Sequence, residues 1–491
     1  MIKLTHLGSP LRISHPGILR MSDDLCSLTL SEAAEAIKTK YVTSVKLTKA
    51  CLSRIESLDS NIKSIAAIDP DKALASAHEA DKALANGDAE GLLHGVPLAH
   101  KDMFYRAGRI SGCGSKIRAN FVPDKTGSVL ERFDRSGALD IARLNMVEFA
   151  LGVTGHNKVM PTPRNPWNTD YITGGSSSGS GAAVSSRLIF GAMGSDTGGS
   201  IRFPSCCNGI TGLKPTSGRV SRFGTMPLSA SLDTLGPMAR TAKDTAIMLQ
   251  AIAGHDARDP TSSRLAVPNY LSNLGRGIKG LRIAIPENYF YDPVAPEIAD
   301  IVGESLKVFR SGGAEIVPVV VPDSIALTNP LTSMIAGTEG ASIHQKWLQQ
   351  RPNDYGTQTK ARLNKGLLIP ATRYLQAKSM RAPVLKEFCK AVFDKADVLH
   401  CPVMVSAVPS ICETDFSAAP GFSNLITAMG HCTRPFNFMG LPSLTIPCGF
   451  TSNGLPTAFQ IVGKPFDEST LFRAGHAYQK LTDWHEQAPN I

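Results

Sequence analysis

Between Gly174 and Gly209 the chain reads GGSSSGSGAAVSSRLIFGAMGSDTGGSIRFPSCCNG, and its glycines and serines gather at two places with an apolar segment between. The first cluster, Gly174 to Gly181, and the second, Thr197 to Ser200, are too glycine-rich for the interior of an element. Both are expected as tight loops whose backbone N–H groups can face a ligand. Each also offers hydroxyl nucleophiles. A flexible linker stays polar along its length, whereas Ala182, Ala183, Val184, Leu188, Ile189, Phe190, Ala192 and Met193 intervene here at the density of a core. A phosphate-binding loop is excluded because neither cluster ends in Gly-Lys-Ser/Thr.

The rest of the chain supplies the body that such loops need. Its 491 residues can bury a sizeable core, and 42% apolar with 19% charged residues excludes disorder. There is no stretch of about 18 apolar residues, so no membrane partner is expected. The net charge of +9 is spread along the sequence without a basic run or an aromatic-interleaved stripe, so no nucleic-acid partner is expected. Ten cysteines without CxxC spacing read as buried reduced thiols, and a cytoplasmic location follows. Cys206 and Cys207 lie near the second serine cluster and are read as packing residues. Residues 1–27 are read as an N-terminal extension, and 28–491 as a single domain.

Thr29 with Glu32 forms a capping box ahead of a helical N-terminal part, and Asp69-Pro70 opens a helix that stops at Gly87. Short apolar runs then alternate with helices. Strands are expected at the end of Gly91–Leu98, at Gly137–Leu144, Leu188–Met193, Leu281–Pro286, Ala314–Val321 and Val398–Val405. Helices are expected from Val147 and over Pro296–Ser311. The alternation predicts an α/β fold, a large mixed β-sheet covered by helices on both faces. Residues 323–381 are helix-rich and interrupt it as an insertion.

A serine hydroxyl needs a base, and the usual partner is histidine. The GxSxG sequence at Gly175 to Gly179 lacks a clear strand-to-helix turn around Ser177, which argues against a histidine triad. A buried lysine can serve instead, because desolvation lowers its pKa towards the working pH and leaves a neutral amine. Lys101 follows the apolar strand HGVPLAH, where charge is unexpected; a surface lysine snorkelling from a strand end is the competing reading.

The combination of Lys101, Ser176 and Ser200 resembles the amidase signature family. The resemblance spans nearly the whole chain from about Leu28 and is strongest over 94–237, the expected signature core. It is carried by HGVPLAHKD at His94, LNMVEFALG at Leu144, NPWN at Asn165, GGSSSGSGAA at Gly174, GSDTGGSIRFP at Gly194 and GLKPTSGRVSRFG at Gly212. GLPSLTIPCGF at Gly440 and GLPTAFQIVGKPFDE at Gly454 extend it. Several long motifs in one order are far more specific than any one alone. The resemblance implies Ser200 as nucleophile, Lys101 as ultimate base and Ser176 as bridging serine, joined to Gly175 by a cis peptide bond. It further implies an oxyanion hole from the N–H groups of Thr197, Gly198, Gly199 and Ser200, with Asp196, Arg202 and Ser177 in support and no metal or other cofactor. Asp102 is read as pointing away from Lys101.

One branch of that family is the A subunit of the aminoacyl-tRNA amidotransferase, which frees ammonia from glutamine. It uses an acidic residue ahead of its TxPxN motif for the glutamine amino group. Here Thr433 to Asn437 is TRPFN, preceded by Gly430, His431 and Cys432, with no acid. The expected function is therefore a stand-alone amidase acting on a small-molecule amide. Anilides, esters and carbamates are also within its chemistry, and a homodimer is expected from base rates alone. The alternatives are a non-catalytic scaffold and the glutaminase subunit.

Overall fold

In a computed structural model, residues 24–89, 91–415 and 421–491 are described, with only the backbone described at Phe422 and Ser423. Most of the expected N-terminal extension, residues 1–23, lies outside them. Within it, Leu25–Ser27 forms a short 3-10 turn capped by Asp24, and Cys26 is buried, so the folded body begins before Leu28.

Eleven strands among the described residues form one mixed sheet. They are β1 (Ile65–Ile68), β2 (Pro97–Lys101), β3 (Leu139–Leu144), β4 (Gly191–Asp196), β5 (Thr211–Lys214) and β6 (Thr234–Ala239). The remainder are β7 (Arg282–Pro286), β8 (Glu315–Val319), β9 (Val398–Pro402), β10 (Ser443–Phe450) and β11 (Pro456–Gly463). The spatial order is β1-β3-β2-β4-β6-β5-β10-β11-β9-β7-β8. Strands β3, β2 and β4 run parallel, as do β9, β7 and β8, and the centre is antiparallel. In the parallel sections β2, β4 and β9 are wholly buried, as strands covered on both faces are, whereas the edge strand β8 is mostly exposed or half-buried. Every residue of β2, β4, β5, β6, β9 and β11 is buried.

Local signals account for several elements. The Thr29–Glu32 capping box closes on the helix Leu30–Lys38, and Asp69 caps Pro70–Asn86, which ends in a left-handed Gly87. The helix Pro296–Ser311 has the expected bounds. The insertion is a run of four helices, Ile325–Gln350, Thr357–Leu367, Ala371–Ser379 and Arg381–Phe393, extending beyond the expected Arg381.

Two expectations are corrected. Val147–Leu151 does not start a helix: only Glu148–Ala150 makes a 3-10 turn, and Phe149 and Ala150 take positive φ there. Leu188–Phe190 is not strand. The helix Ser178–Ser185 ends in a left-handed Arg187, the Leu188 amide donates back to Ala183, and the strand begins at Gly191. An apolar run shared between a buried helix and a buried strand carries no period that would place that break.

Candidate active site

Lys101 ends β2, and Ser195 and Asp196 end the neighbouring parallel strand β4, so the site sits at the carboxyl edge of the sheet. The first glycine-serine loop feeds the helix Ser178–Ser185; the second leads into the short helix Arg202–Cys207. The loops clasp each other through the Ser177 amide, which donates to the Ser200 carbonyl at 3.2 Å. The Gly175–Ser176 peptide is cis. Gly199 has φ +129°, and a Cβ there would lie 2.4 Å from the Phe203 ring, so the turn requires glycine.

Lys101 is fully buried, and its Nζ donates to Ser176 Oγ at 2.7 Å, Ser195 Oγ at 2.9 Å and Ser177 Oγ at 3.2 Å. As an ammonium it can satisfy all three. As a neutral amine it has two N–H groups and one lone pair, so one serine hydroxyl must turn its proton towards the nitrogen. Burial lowers the Lys101 pKa to about 7, against the opposing pull of Asp233 and Asp196. Ser195 was absent from the sequence-based site. Its place two residues beyond Met193 in the strand beside β2 was the signal that could have found it.

Ser176 and Ser177 are fully buried, and Ser200 is only 5% exposed. Asp196 and Arg202 pair as expected, with Nε to Oδ2 and Nη2 to Oδ1 both at 3.1 Å. Burial alone would raise the Asp196 pKa, but Arg202 and Asn437 outweigh it and hold the carboxyl far below its usual range. The same carboxylate accepts from the amides of Gly199 at 2.7 Å and Ile201 at 3.1 Å. The Gly199 N–H, one of the four expected oxyanion donors, is thus bonded to Asp196. Among the described residues the N–H groups of Thr197, Gly198 and Ser200 have no protein acceptor.

A second brace comes from the C-terminal motif. Arg202 donates to the Thr433 carbonyl at 2.9 Å, to Gln460 Oε1 at 3.1 Å and to Asn437 Oδ1 at 2.6 Å. Thr433 Oγ1 donates to the Gly198 carbonyl at 2.8 Å. A third brace is Asp233, which accepts from Thr197 Oγ1 at 2.5 Å and from the amides of Leu228 and Ser229 at 2.8 and 2.9 Å.

Other residues near the motifs are turned elsewhere. Asp102 pairs with Arg143 at 2.8 Å and accepts from the Gly112 amide, away from Lys101. Cys206 and Cys207 are buried, and burial pushes the Cys206 thiol up to about 12, which suits packing.

The amidase family model matches residues 46–472, most of the chain. The chain belongs to the amidase signature family. Among its relatives is the A subunit of the glutamyl-tRNA(Gln) amidotransferase of Methylococcus capsulatus (strain ATCC 33009 / NCIMB 11132 / Bath), 39% identical over 94% of this chain and 98% of that protein. Two solved family structures share the mixed sheet and its helices. One, described as a vestigial protein complex revealing the evolutionary origins of an s-triazine catabolic enzyme, is 32% identical, with a TM-score of 0.85 over 92% of this chain and 98% of that one. The other, peptide amidase PAM with the competitive inhibitor chymostatin, is 28% identical, with a TM-score of 0.82 over 94% and 99% of the two chains. No helix among the described residues is long and apolar enough to cross a membrane.

Proposed function

We propose that the chain hydrolyses an amide C–N bond to acid plus amine or ammonia through an acyl-enzyme on Ser200. The observation that carries this reading is the 2.7 Å contact between Lys101 Nζ and Ser176 Oγ in a site where burial lowers the lysine pKa to about 7. Neutral Lys101 takes the proton of Ser176, Ser176 takes the proton of Ser200, and Ser200 Oγ bonds to the acyl carbon. The oxygen that becomes negative is held by the free N–H groups of Thr197, Gly198 and Ser200; each such donor typically lowers a barrier by about 3 kcal/mol. When the tetrahedral adduct collapses, the C–N bond breaks and the leaving nitrogen receives a proton back through Ser176. Water then adds to the ester under the same base and releases the acid. The braces on Asp196, Arg202, Thr433 and Asp233 keep the donors fixed before the charge develops, where preorganisation is most effective.

A second reading keeps this chemistry and narrows the amide to glutamine, with the chain acting as an ammonia-supplying subunit. It is supported by relatives such as the Methylococcus capsulatus protein, named as the A subunit of a glutamyl-tRNA(Gln) amidotransferase. These relatives favour the second reading, while the first is supported by the likeness to a solved peptide amidase. Release of ammonia or amine by the purified chain separates them, measured on glutamine, primary aliphatic amides, anilides and aryl carbamates with Ser200→Ala as control. Turnover of amides other than glutamine by the isolated chain supports a stand-alone amidase. Activity on glutamine alone, or only after a partner is added, supports the subunit.

A further inference from the structure

One buried carboxylate links the helical insertion to the nucleophile loop. Glu339 lies on the helix Ile325–Gln350. Its two oxygens accept from four neutral donors: the Ser229 hydroxyl, the Ser231 hydroxyl, the Ser231 amide at 2.9 Å and the Tyr374 hydroxyl at 2.7 Å. A buried charge is costly unless it is hydrogen-bonded, and a carboxylate, which only accepts, can take several converging donors at once. Burial alone would raise the Glu339 pKa, but the serine and tyrosine hydroxyls outweigh it and hold the carboxyl below its usual range.

Three of the four donors belong to the turn that leads into β6. That turn folds around Asp233: the Leu228 and Ser229 amides donate to Asp233 Oδ2, and the Asp233 amide donates to the Ser229 carbonyl at 3.1 Å. Asp233 Oδ1 takes the hydroxyl of Thr197, at the start of the nucleophile loop. Ser229 is thus gripped on its side chain by Glu339 and on its amide by Asp233. A continuous path runs from the insertion through Glu339, Ser229 and Asp233 to Thr197. Beside it, Arg381 donates to the Ser231 carbonyl at 3.0 Å and to the Phe438 carbonyl at 2.7 Å, steadying the same turn.

The insertion does not need Glu339 in order to pack. Its first two helices meet at a glycine crossing, where a Cβ on Gly366 would run into the Gly337 carbonyl, and Ile335, Leu363 and Ala377 are buried. What the saturated carboxylate adds is a fixed position for one turn. We propose that Glu339 is a positioning residue for the hydrolysis: through Ser229 and Asp233 it fixes Thr197, and so keeps the N–H donors of the nucleophile loop aimed at the developing oxyanion. That charge forms only in the transition state, so the effect belongs to kcat and not to KM. This role rests on the amidase reading above, and one arm of its test needs no amide to be cleaved.

Steady-state kinetics compare Glu339→Gln, Glu339→Asp and Tyr374→Phe with the wild type on the best amide of the panel. Glutamine keeps one acceptor oxygen but sets an NH2 among the donors, so kcat should fall roughly 10- to 100-fold with KM within about twofold. Glu339→Asp keeps both acceptors and should recover part of the rate. Tyr374→Phe removes the one donor outside the turn and should lose no more than about threefold. The acid limb of the pH profile should stay in place in Glu339→Gln, because Asp233 and Asp196 are the carboxylates that favour the Lys101 ammonium. Glu339→Gln combined with Asp233→Asn should cost little more than the costlier single change, since both act along one path. Ser229→Ala, which keeps the amide on Asp233, serves if Glu339→Gln does not fold, with an expected loss in kcat of about three- to tenfold.

The second arm follows sulfonylation of Ser200 by phenylmethanesulfonyl fluoride, read by intact mass with Ser200→Ala as control. Ser200 Oγ displaces fluoride from sulfur, and Glu339→Gln should slow this step along with kcat. Slowed sulfonylation supports the positioning role even if no amide of the panel is turned over. Unchanged kcat and sulfonylation in folded Glu339→Gln overturn it, as does a loss that adds in full to that of Asp233→Asn or a displaced acid limb. A wild-type Ser200 inert in both assays overturns the amidase reading and this role together.

Discussion

The chain buries two lysines completely at the ends of two strands of one sheet, Lys101 on β2 and Lys214 on β5. Burial lowers both from an ordinary value of 10.5 to about 7. By that criterion they are equivalent. Their surroundings are not. Lys101 faces three hydroxyls, two of them on the loop clasped to Ser200, whereas Lys214 Nζ donates to the carbonyl of Pro215 at 2.9 Å. A carbonyl has no proton to give. A depressed pKa therefore makes a neutral amine available in both places, and only a neighbouring O–H makes that amine a base.

The sharpest way to break this comparison is to remove each amine in turn. Lys101→Met should lower kcat by roughly 10²–10⁴-fold, the usual worth of a positioned acid–base group. Lys214→Met should keep turnover within about threefold, since no reacting proton passes through it. Measured kcat for the two variants on the best substrate of the panel decides this. A comparable loss in both would make Lys214 part of the machinery.

The next effect in size is the pH dependence. The relay needs neutral Lys101, so kcat/KM should fall about tenfold per pH unit below about 7 and level off above it. Replacing Lys214 should leave that limb in place. A profile flat from pH 5 to pH 9 would falsify a lysine base in the rate-limiting step.

Stability should register the buried Lys214 that turnover does not. Lys214 is charged in the unfolded chain up to about pH 10 but is desolvated in the folded one, so the unfolded state binds more protons between about pH 7 and 10.5. Wild-type stability therefore rises with pH across that window, and the cost of burying the charge is greatest at and below its lower end. Lys214→Met should stabilise by roughly 1–3 kcal/mol at pH 7, with the gain shrinking towards pH 10. Thermal or urea unfolding at several pH values checks the direction.

The parts of the site legible in the sequence were those held within one short motif. Ser176, Ser200, Asp196 and Arg202 lie in two loops whose glycine content announces them, and Lys101 stands out as a charge at the end of an apolar strand. Ser195 was missed because its role depends on the pairing of β4 with β2. Asp233, Asn437 and Gln460 were missed because they reach the nucleophile loop from up to 258 residues away in sequence. The strands β5, β6, β10 and β11 were not picked out either. Pro237, Pro447, Gly236 and Gly449 interrupt the strand pattern in two of them, and the antiparallel neighbours that hold all four are visible only in the fold. The clash between an apolar run and its true break at Gly191 has the same origin.

The smallest expected effect concerns what separates the two lysines electrostatically. Lys101 feels Asp233 and Asp196, both of which favour its ammonium form. The charge of Asp196 is largely spent on Arg202, which it meets through two hydrogen bonds. Asp233 has no such close counterion among the described residues and is held by a hydroxyl and two amides. It is therefore the carboxylate whose removal Lys101 should register. Asp233→Asn keeps an oxygen for Thr197 and removes the negative charge, so the ammonium loses a favourable interaction. The Lys101 pKa should drop and the acid limb of kcat/KM should move to lower pH by less than about one unit. The plateau should also fall, because an amide cannot replace both carboxylate oxygens in gripping Thr197 and the Leu228 and Ser229 amides. A limb that stays in place would mean that Asp233 is protonated in the working enzyme, as its burial favours, and acts only as a clamp on the loop.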